Sequence, residues 1–486
     1  MSELSLPDPF ATLSPTSVWR HFSTLCAIPR PSKGEARLRD YLQQWALSQG
    51  LGVEVDAVGN LLLSKPAATG YESAPGVVLQ AHLDMVCQKN SDCTHDFTTD
   101  PIRPVLRDGW LGAEATTLGA DNGIGVALML AVLEDQTLAH GPLEVLLTVD
   151  EEAGMGGARG LAPGWLKGRL MLNLDTEAWG EFYLGCAGGL DVNVSHQGAP
   201  VDLPKGLEVS SLTLSGLRGG HSGVDIHEGR GNAIKLLVRA LQALNLPFEL
   251  AALQGGTARN ALPREAMAVL ALSPEAMAML PGRLAEIETM LRAELAGVDE
   301  GLRLQLGAGE ATQVLSAVDR EKWLNLLHAA PHGVRRMSSR LAGVVETSNN
   351  LGMATISPCA GECNFMVRSL VDSAAKALAD EIISLCALAG MAAVPAGAYP
   401  GWSPNPASPL LQRCQAVFSR EFAATSSVQV IHAGLECGLI GAVYPGMDIV
   451  SFGPTIRGAH APGEAVEVSS VARCWQLLTA ILADLR

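Results

Sequence analysis

The chain has 486 residues, 48% of them hydrophobic and 17% charged, a composition that fits a folded protein and excludes a disordered one. That length exceeds one ordinary hydrophobic core, so two domains are expected. A formal charge of −16 argues against nucleic acid and anionic lipid as partners, because both require clustered Lys and Arg.

The opening MSELSLPDPF has no basic stretch followed by an apolar one, and no later run reaches the length of a membrane span. A cytoplasmic location without membrane contact is therefore expected. SVWRHFSTLCAI and RLRDYLQQWAL carry apolar residues at helical spacing, the second preceded by Ser32 as a candidate cap. Short apolar runs follow at GVVLQAHLD (76–84), LEVLLTVD (143–150), RLMLNLD (169–175) and MDIVSFGP (447–454). They alternate with helix-like stretches such as DNGIGVALMLAVLED, which predicts an open α/β sheet.

Three of these runs precede residue 180 and the fourth follows residue 440, so roughly two hundred residues are expected to interrupt the domain. The insertion has its own strand and helix signals in SSLTLSGL, GNAIKLLVRALQAL, a helical run from Ser273 to about Leu295, CNFMVRSLV and SAAKALADEIISLCAL. It reads as a separate α+β domain, with the Gly/Pro-rich segment 394–409 as the return linker and a final helix from about Ser469 to Leu485. The ten cysteines are dispersed without CxxC spacing and read as reduced residues.

Each of the four runs leads into an ionisable cluster, and open α/β sheets place ligands beyond the carboxyl ends of their strands. His82 and Asp84 stand two apart at a strand end, where one can bind a metal and the other support it. Asp121 lies in LGADNGIG before a helix, a place where a simple N-cap is the plainer reading. Asp150, Glu151 and Glu152 are three adjacent carboxylates with no Lys nearby, a repulsion that a bound cation relieves. Asp175 ends another strand, and His460 follows the last apolar run.

His82, Asp121, Glu152, Asp175 and His460 make up a ligand set suited to zinc or another first-row divalent ion. Five ligands exceed the need of one catalytic zinc and favour two metals sharing a carboxylate. One carboxylate of the Glu151/Glu152 pair is then left over as a general base, which favours hydrolysis over storage.

AHLDM, GADNGIG, DEEAGM, NLDTE and GPTIRGAHAPGE together resemble the M20 family of metallopeptidases in order and spacing. CAGG, RGGHSGVDIHEGRGNA, GGTARNALPRE, GAYPGW and HAGLECG are similar to its aminoacyl-histidine dipeptidase branch across nearly the whole chain. The resemblance implies an α/β fold: a zinc-peptidase-like catalytic domain with a mixed sheet flanked by helices, interrupted by an inserted α+β lid domain. On this reading residues 1–187 and 399–486 form the catalytic domain and 188–398 the lid, through which a homodimer would form.

It further implies that Asp121 bridges two divalent ions, with His82 and Asp175 on one and Glu152 and His460 on the other. Zn2+ is expected, while Co2+ or Mn2+ could occupy the same ligands. Glu151 becomes the general base acting on a metal-bridged water, and Asp84 orients His82. In the lid, His221 and Asn260 would polarise the scissile carbonyl and Arg368 would bind the substrate carboxylate. The implied activity is hydrolysis of dipeptides, preferentially Xaa-His dipeptides such as β-Ala-His. Alternatives are an N-acyl amino acid deacylase or tripeptidase of the same architecture, or a metal-binding protein without catalysis. One departure is Ala461, where many relatives carry Ser after the last ligand.

Overall fold

A computed structural model describes residues 9–486. The first eight residues, part of the opening read above for a leader, lie outside the described residues. The chain divides into two compact units. The first contains the residues up to Gly185, then Pro404–Val430 and Leu435–Arg486; the second contains Cys186–Ser403 and Ile431–Gly434.

The first unit is built on an eight-stranded sheet in the order Gly52–Val55, Leu61–Lys65, Leu143–Thr148, Val77–His82, Leu170–Asn173, Asp448–Ser451, Glu181–Cys186 and Ser427–Ile431. The four central strands are the four apolar runs, and they pair in parallel. Their neighbours are antiparallel, which makes the sheet mixed. A parallel strand is covered on both faces and reads as a continuous apolar run instead of an alternating one. Every residue of Val77–His82 is buried accordingly.

The flanking helices include Thr16–Ala27, Ala120–Glu134, Pro409–Phe422 and Val468–Asp484. Ala120–Glu134 is apolar and buried nearly all round, as a helix inside a larger core should be. Ser32 does not cap the helix Ala36–Ser48, whose N-cap position is Glu35 without a side-chain cap. Its hydroxyl donates instead to Asp84 Oδ2 at 2.7 Å, because a buried carboxylate is the stronger acceptor.

The second unit is an α+β body with a nine-stranded antiparallel sheet and the helices Ala233–Ala243, Pro274–Glu294, Ala317–Ala329 and Asp372–Leu388. Ser273 caps the longest of them by accepting from the Ala276 amide. The first six of the sixteen residues of the expected return linker are strand: Ala392–Tyr399 pairs with Gly188–Gln197 and forms one edge of the sheet. Pro395 fits there because an edge strand leaves one side of its backbone unpaired. The short return of Ile431–Gly434 to this unit was not visible in the sequence. It is tied by the Ala187 amide donating to Ile431 O and by His432 meeting the Ser348 hydroxyl.

Among the described residues no helix is long and apolar enough to cross a membrane, and all ten cysteines are free thiols. Leu79 lies fully buried in the central strand that ends at His82. Leu79→Ala is expected to destabilise the first unit by about 2–5 kcal/mol, read as a lowered urea midpoint. A loss under about 1 kcal/mol would mean that this strand is not core to the unit.

Candidate active site

Parallel pairing brings the carboxyl ends of the central strands to one rim of the first unit. There the Asp121 carboxylate faces two imidazoles, with Oδ1 3.1 Å from His82 Nε2 and Oδ2 3.1 Å from His460 Nε2. Asp175 Oδ1 is 3.3 Å from the same His82 nitrogen, and Glu152 Oε2 is 3.3 Å from the same His460 nitrogen. Asp121 therefore belongs to two groups at once, one oxygen in each.

This arrangement fits cations. Two ligand atoms bound to one zinc in tetrahedral geometry stand roughly 3.3 Å apart, the spacing found within each group. Glu152 Oε1 and Asp175 Oδ1 are buried without a hydrogen-bond donor, a state that costs free energy unless a cation or proton meets them. His82, Asp121 and Glu152 bring their ligand atoms within 4.8 Å of one another.

Several contacts keep these side chains in place. His82 Nδ1 lies 3.1 Å from the Asp84 carbonyl, which as an acceptor holds the proton on Nδ1 and leaves Nε2 as the donor of a lone pair. The Asp84 carboxylate, 3.5 Å from Nδ1, accepts from the amides of Glu151 and Glu152 and from Ser32. Burial alone would raise the Asp84 carboxyl, but His82 and these donors hold it down at about 2. Asp84 thus orients His82 chiefly through its main chain and the acidic loop through its side chain.

Asp121 and Asn122 have non-helical dihedrals and kink the chain where it enters the helix, with Gly119 before them in the left-handed region at φ 71°, and Asp121 makes no side-chain cap bond. Glu464 holds this turn. Its buried carboxylate accepts from the amides of Leu118 and Gly119 on one oxygen and of Ala120 and Asp121 on the other. The amides of the turn that leads into the helix are thus satisfied from outside, and the Asp121 side chain faces the imidazoles. Asn122 donates to Leu174 O at 2.6 Å and ties this loop to the strand end beside Asp175. Gly125 permits the approach, since a Cβ there would stand 2.6 Å from the same carbonyl.

Burial and charge leave their mark on the ionisable groups. Hydrogen bonds donated to the Asp121 and Glu152 carboxylates hold the His460 imidazole up at about 11. Burial pushes Asp175 up to about 6, against the pull of His82. Loss of solvent around Glu151, reinforced by Asp175, Glu152 and Glu436, pushes its carboxyl well above the ordinary range. A divalent ion would supply the positive charge that protons otherwise provide here.

The remaining three predicted residues lie together in the second unit. His221 Nδ1 accepts from the amides of Gly223 and Val224, so in the neutral ring the hydrogen sits on Nε2, which becomes a donor. Asn260 is exposed beside it, its carbonyl accepting from the Ser222 amide. Arg368 is buried, with NH1 on the Tyr399 hydroxyl at 2.8 Å, NH2 3.5 Å from Ser222 Oγ, and Nε without an acceptor. A buried guanidinium with only neutral partners is suited to an incoming anion.

Sequence reasoning missed Glu464, Arg30 and Glu436. Arg30 is buried and donates to the carbonyls of Leu83, Asp84 and Gly119, joining two ligand loops. Glu436 accepts from Gln80 and Thr148 at 2.6 Å, beneath the strand ends that carry His82 and the acidic loop. Glu464 and Glu436 stand inside quoted motifs, but nothing local distinguishes a carboxylate that caps a distant loop from one facing solvent.

A mixed sheet whose strand ends gather two imidazoles and a set of carboxylates, joined to a large α+β insertion, is the construction of a metallopeptidase. The chain belongs to peptidase family M20/M25/M40, whose model matches residues 78–484. It is 47% identical to the cytosol non-specific dipeptidase of Escherichia coli over 488 residues, which covers 100% of this chain and 99% of that protein. Its structure is similar to the crystal structure of aminoacylhistidine dipeptidase from Vibrio alginolyticus. That match has a TM-score of 0.87 at 44% identity and covers 100% of this chain and 99% of the other. The aminopeptidase PepT of Bacillus cereus, at 16% identity and a TM-score of 0.56 over 97% of this chain and 99% of that one, shares the fold.

Glu464→Ala leaves four amides without their acceptor and is expected to weaken divalent-ion binding by about 10- to 100-fold in a calorimetric titration. Unchanged affinity would show that Glu464 does not position Asp121. A second expectation concerns acid. Burial, with Arg368 and His221 beside it, holds the His432 imidazole down at about 3 from an ordinary 6.5. The unfolded chain binds this proton first, so stability is complete above pH 6.5 and is lost as pH falls toward 3. His432→Gln should flatten that part of an acid-unfolding profile; an identical slope would remove His432 from its cause.

Proposed function

We propose that this peptidase is a cytoplasmic dipeptidase that prefers Xaa-His dipeptides such as β-Ala-His and works with two divalent ions, zinc first, with cobalt or manganese able to take the same ligands. The observation that carries the reading is the Asp121 carboxylate, which shares its two oxygens between the His82/Asp175 and His460/Glu152 groups. His82 and Asp175 would hold one ion, His460 and Glu152 the other, and Asp121 would bridge them. Such ions polarise a carbonyl and acidify water when bound.

The protein's own groups have the following parts in the reaction. Glu151 takes the proton of the attacking water and returns it to the departing amine, a task suited to a carboxyl whose proton affinity its surroundings raise. Asp84 fixes the Glu151 and Glu152 amides and so aims both side chains. In the second unit the Nε2 hydrogen of His221 points the ring toward the role of donor to the carbonyl oxygen as charge develops there, with Asn260 beside it. Arg368 takes the free carboxylate of the substrate, which sets substrate length.

Support for dipeptides, and for histidine at their carboxyl end, comes from the two full-length relatives, one named a cytosol non-specific dipeptidase and one an aminoacylhistidine dipeptidase. A homodimer through the second unit completes the proposal; the edge strands Arg303–Ala308 and Ala392–Tyr399 are largely exposed.

The test is cleavage of β-Ala-His, Gly-His, Ala-Leu, a tripeptide and an N-acetyl amino acid by protein of defined metal content, with a chelated control. Chelator-sensitive cleavage of the dipeptides alone is expected, fastest with histidine. Cleavage of the acetylated substrate alone would overturn the substrate class. Glu151→Gln is expected to lower turnover by about a hundredfold to ten-thousandfold while elemental analysis still finds two ions per chain. Retained turnover would remove Glu151 from the proton transfer.

A further inference from the structure

The geometry points to Tyr399 as the positioning residue that sets which edge of the Arg368 guanidinium meets the substrate carboxylate. This rests on the reading of Arg368 as the carboxylate anchor. Three residues stand in line across the sheet of the second unit: Arg368 is paired with Gly189, and Gly189 with Tyr399. Residues opposite one another on adjacent strands present their side chains on one face. Arg368 and Tyr399 therefore share a face, two strand spacings or roughly 9.6 Å apart at the backbone.

They meet only because the residue between them has no side chain. A Cβ on Gly189 would stand 2.8 Å from the Tyr399 hydroxyl oxygen and 3.0 Å from Cζ, inside contact distance. The tyrosine lies over the glycine and its hydroxyl accepts from Arg368 NH1 at 2.8 Å. The strand pairing shifts between Ala396 and Tyr399, and after that irregularity the tyrosine stands opposite Gly189.

The consequence concerns the fork of the guanidinium. A carboxylate binds arginine with two parallel hydrogen bonds, either at NH1 and NH2 or at Nε and NH2. Tyr399 occupies NH1. Nε has no acceptor, and NH2 has only the 3.5 Å approach of Ser222 Oγ. The edge with neither nitrogen engaged by Tyr399 is Nε with NH2, and Tyr399, by holding NH1, fixes the rotation of the fork and with it the side from which the substrate's end is held. A lysine at 368 would offer no edge to select.

The experiment compares a dipeptide with its C-terminal amide on the full-length, metal-loaded protein. In Tyr399→Phe the preference for the free carboxylate is expected to fall about tenfold, through KM and not kcat, because one hydrogen bond to a charged group is removed. Gly189→Ala keeps the hydroxyl but displaces it, and should lower the same preference; combining the two changes should add little to either. Equal losses on dipeptide and amide, or an unchanged KM, would overturn the inference and leave Tyr399 a sheet-edge residue. Arg368→Met separates the two levels. If it abolishes the preference while Tyr399→Phe leaves it intact, the inference alone falls; if it leaves the preference intact, the anchor reading falls and the inference with it.

Discussion

The contact on which the first unit depends is the Asp121 carboxylate set between two imidazoles, one on each oxygen. A short side chain can face both ways only if its backbone is held and its helix asks nothing of it. Glu464 meets the second condition by taking the four amides of the turn that leads into the helix, and Asn122 meets the first by its bond to Leu174 O. Arg30 joins Gly119 to Leu83 and Asp84, so the loops bearing Asp121 and His82 are held by one guanidinium. The carboxylates and imidazoles that could hold cations are thus placed by neutral and charged hydrogen bonds from residues outside the cluster.

Beneath the rim runs a buried polar layer that an apolar sheet would not need. Glu436 accepts from Gln80 and Thr148, Gln80 accepts from Asn173, and Asn173 accepts from Ser451, with one residue from each of the four parallel strands. Such a chain fixes the relative register of strands whose ends carry His82, the acidic loop and Asp175, since a slip in one strand would leave buried donors unpaired. The layer explains why strands read as apolar runs contain Gln, Thr, Asn and Ser near their carboxyl ends.

The second unit uses a different device. Its polar residues are arranged by glycine: Gly189 lets Tyr399 reach Arg368, and Gly223 lets the 221–223 turn pack on His432, where a Cβ would stand 1.9 Å from the His432 carbonyl oxygen. The turn's amides in return set the tautomer of His221. Small residues here are specified by what must pass over them, which is why the motifs of this unit are glycine-rich without being turns throughout.

Much of this was legible in local sequence. Continuous apolar runs ending in acids or histidine marked the parallel strands and their functional rim, because burial on both faces and the strand-end position of ligands both leave a short-range trace. Other features left none. Ser32 and Asp121 sit where helix caps are expected, yet one supports Asp84 and the other faces two histidines, while the turn before the helix is held by Glu464 across more than 340 residues of sequence. The 394–409 segment has linker composition, but its first six residues lie in an edge strand because an edge tolerates Pro. Sequence alone determined the kinds of groups available and the strands that would carry them, since hydrophobic period and residue chemistry are local properties. Only the tertiary structure decided which carboxylate would face an imidazole, hold a distant turn or fix a loop, because those roles differ only in which distant amide, imidazole or guanidinium the fold brings within hydrogen-bond reach.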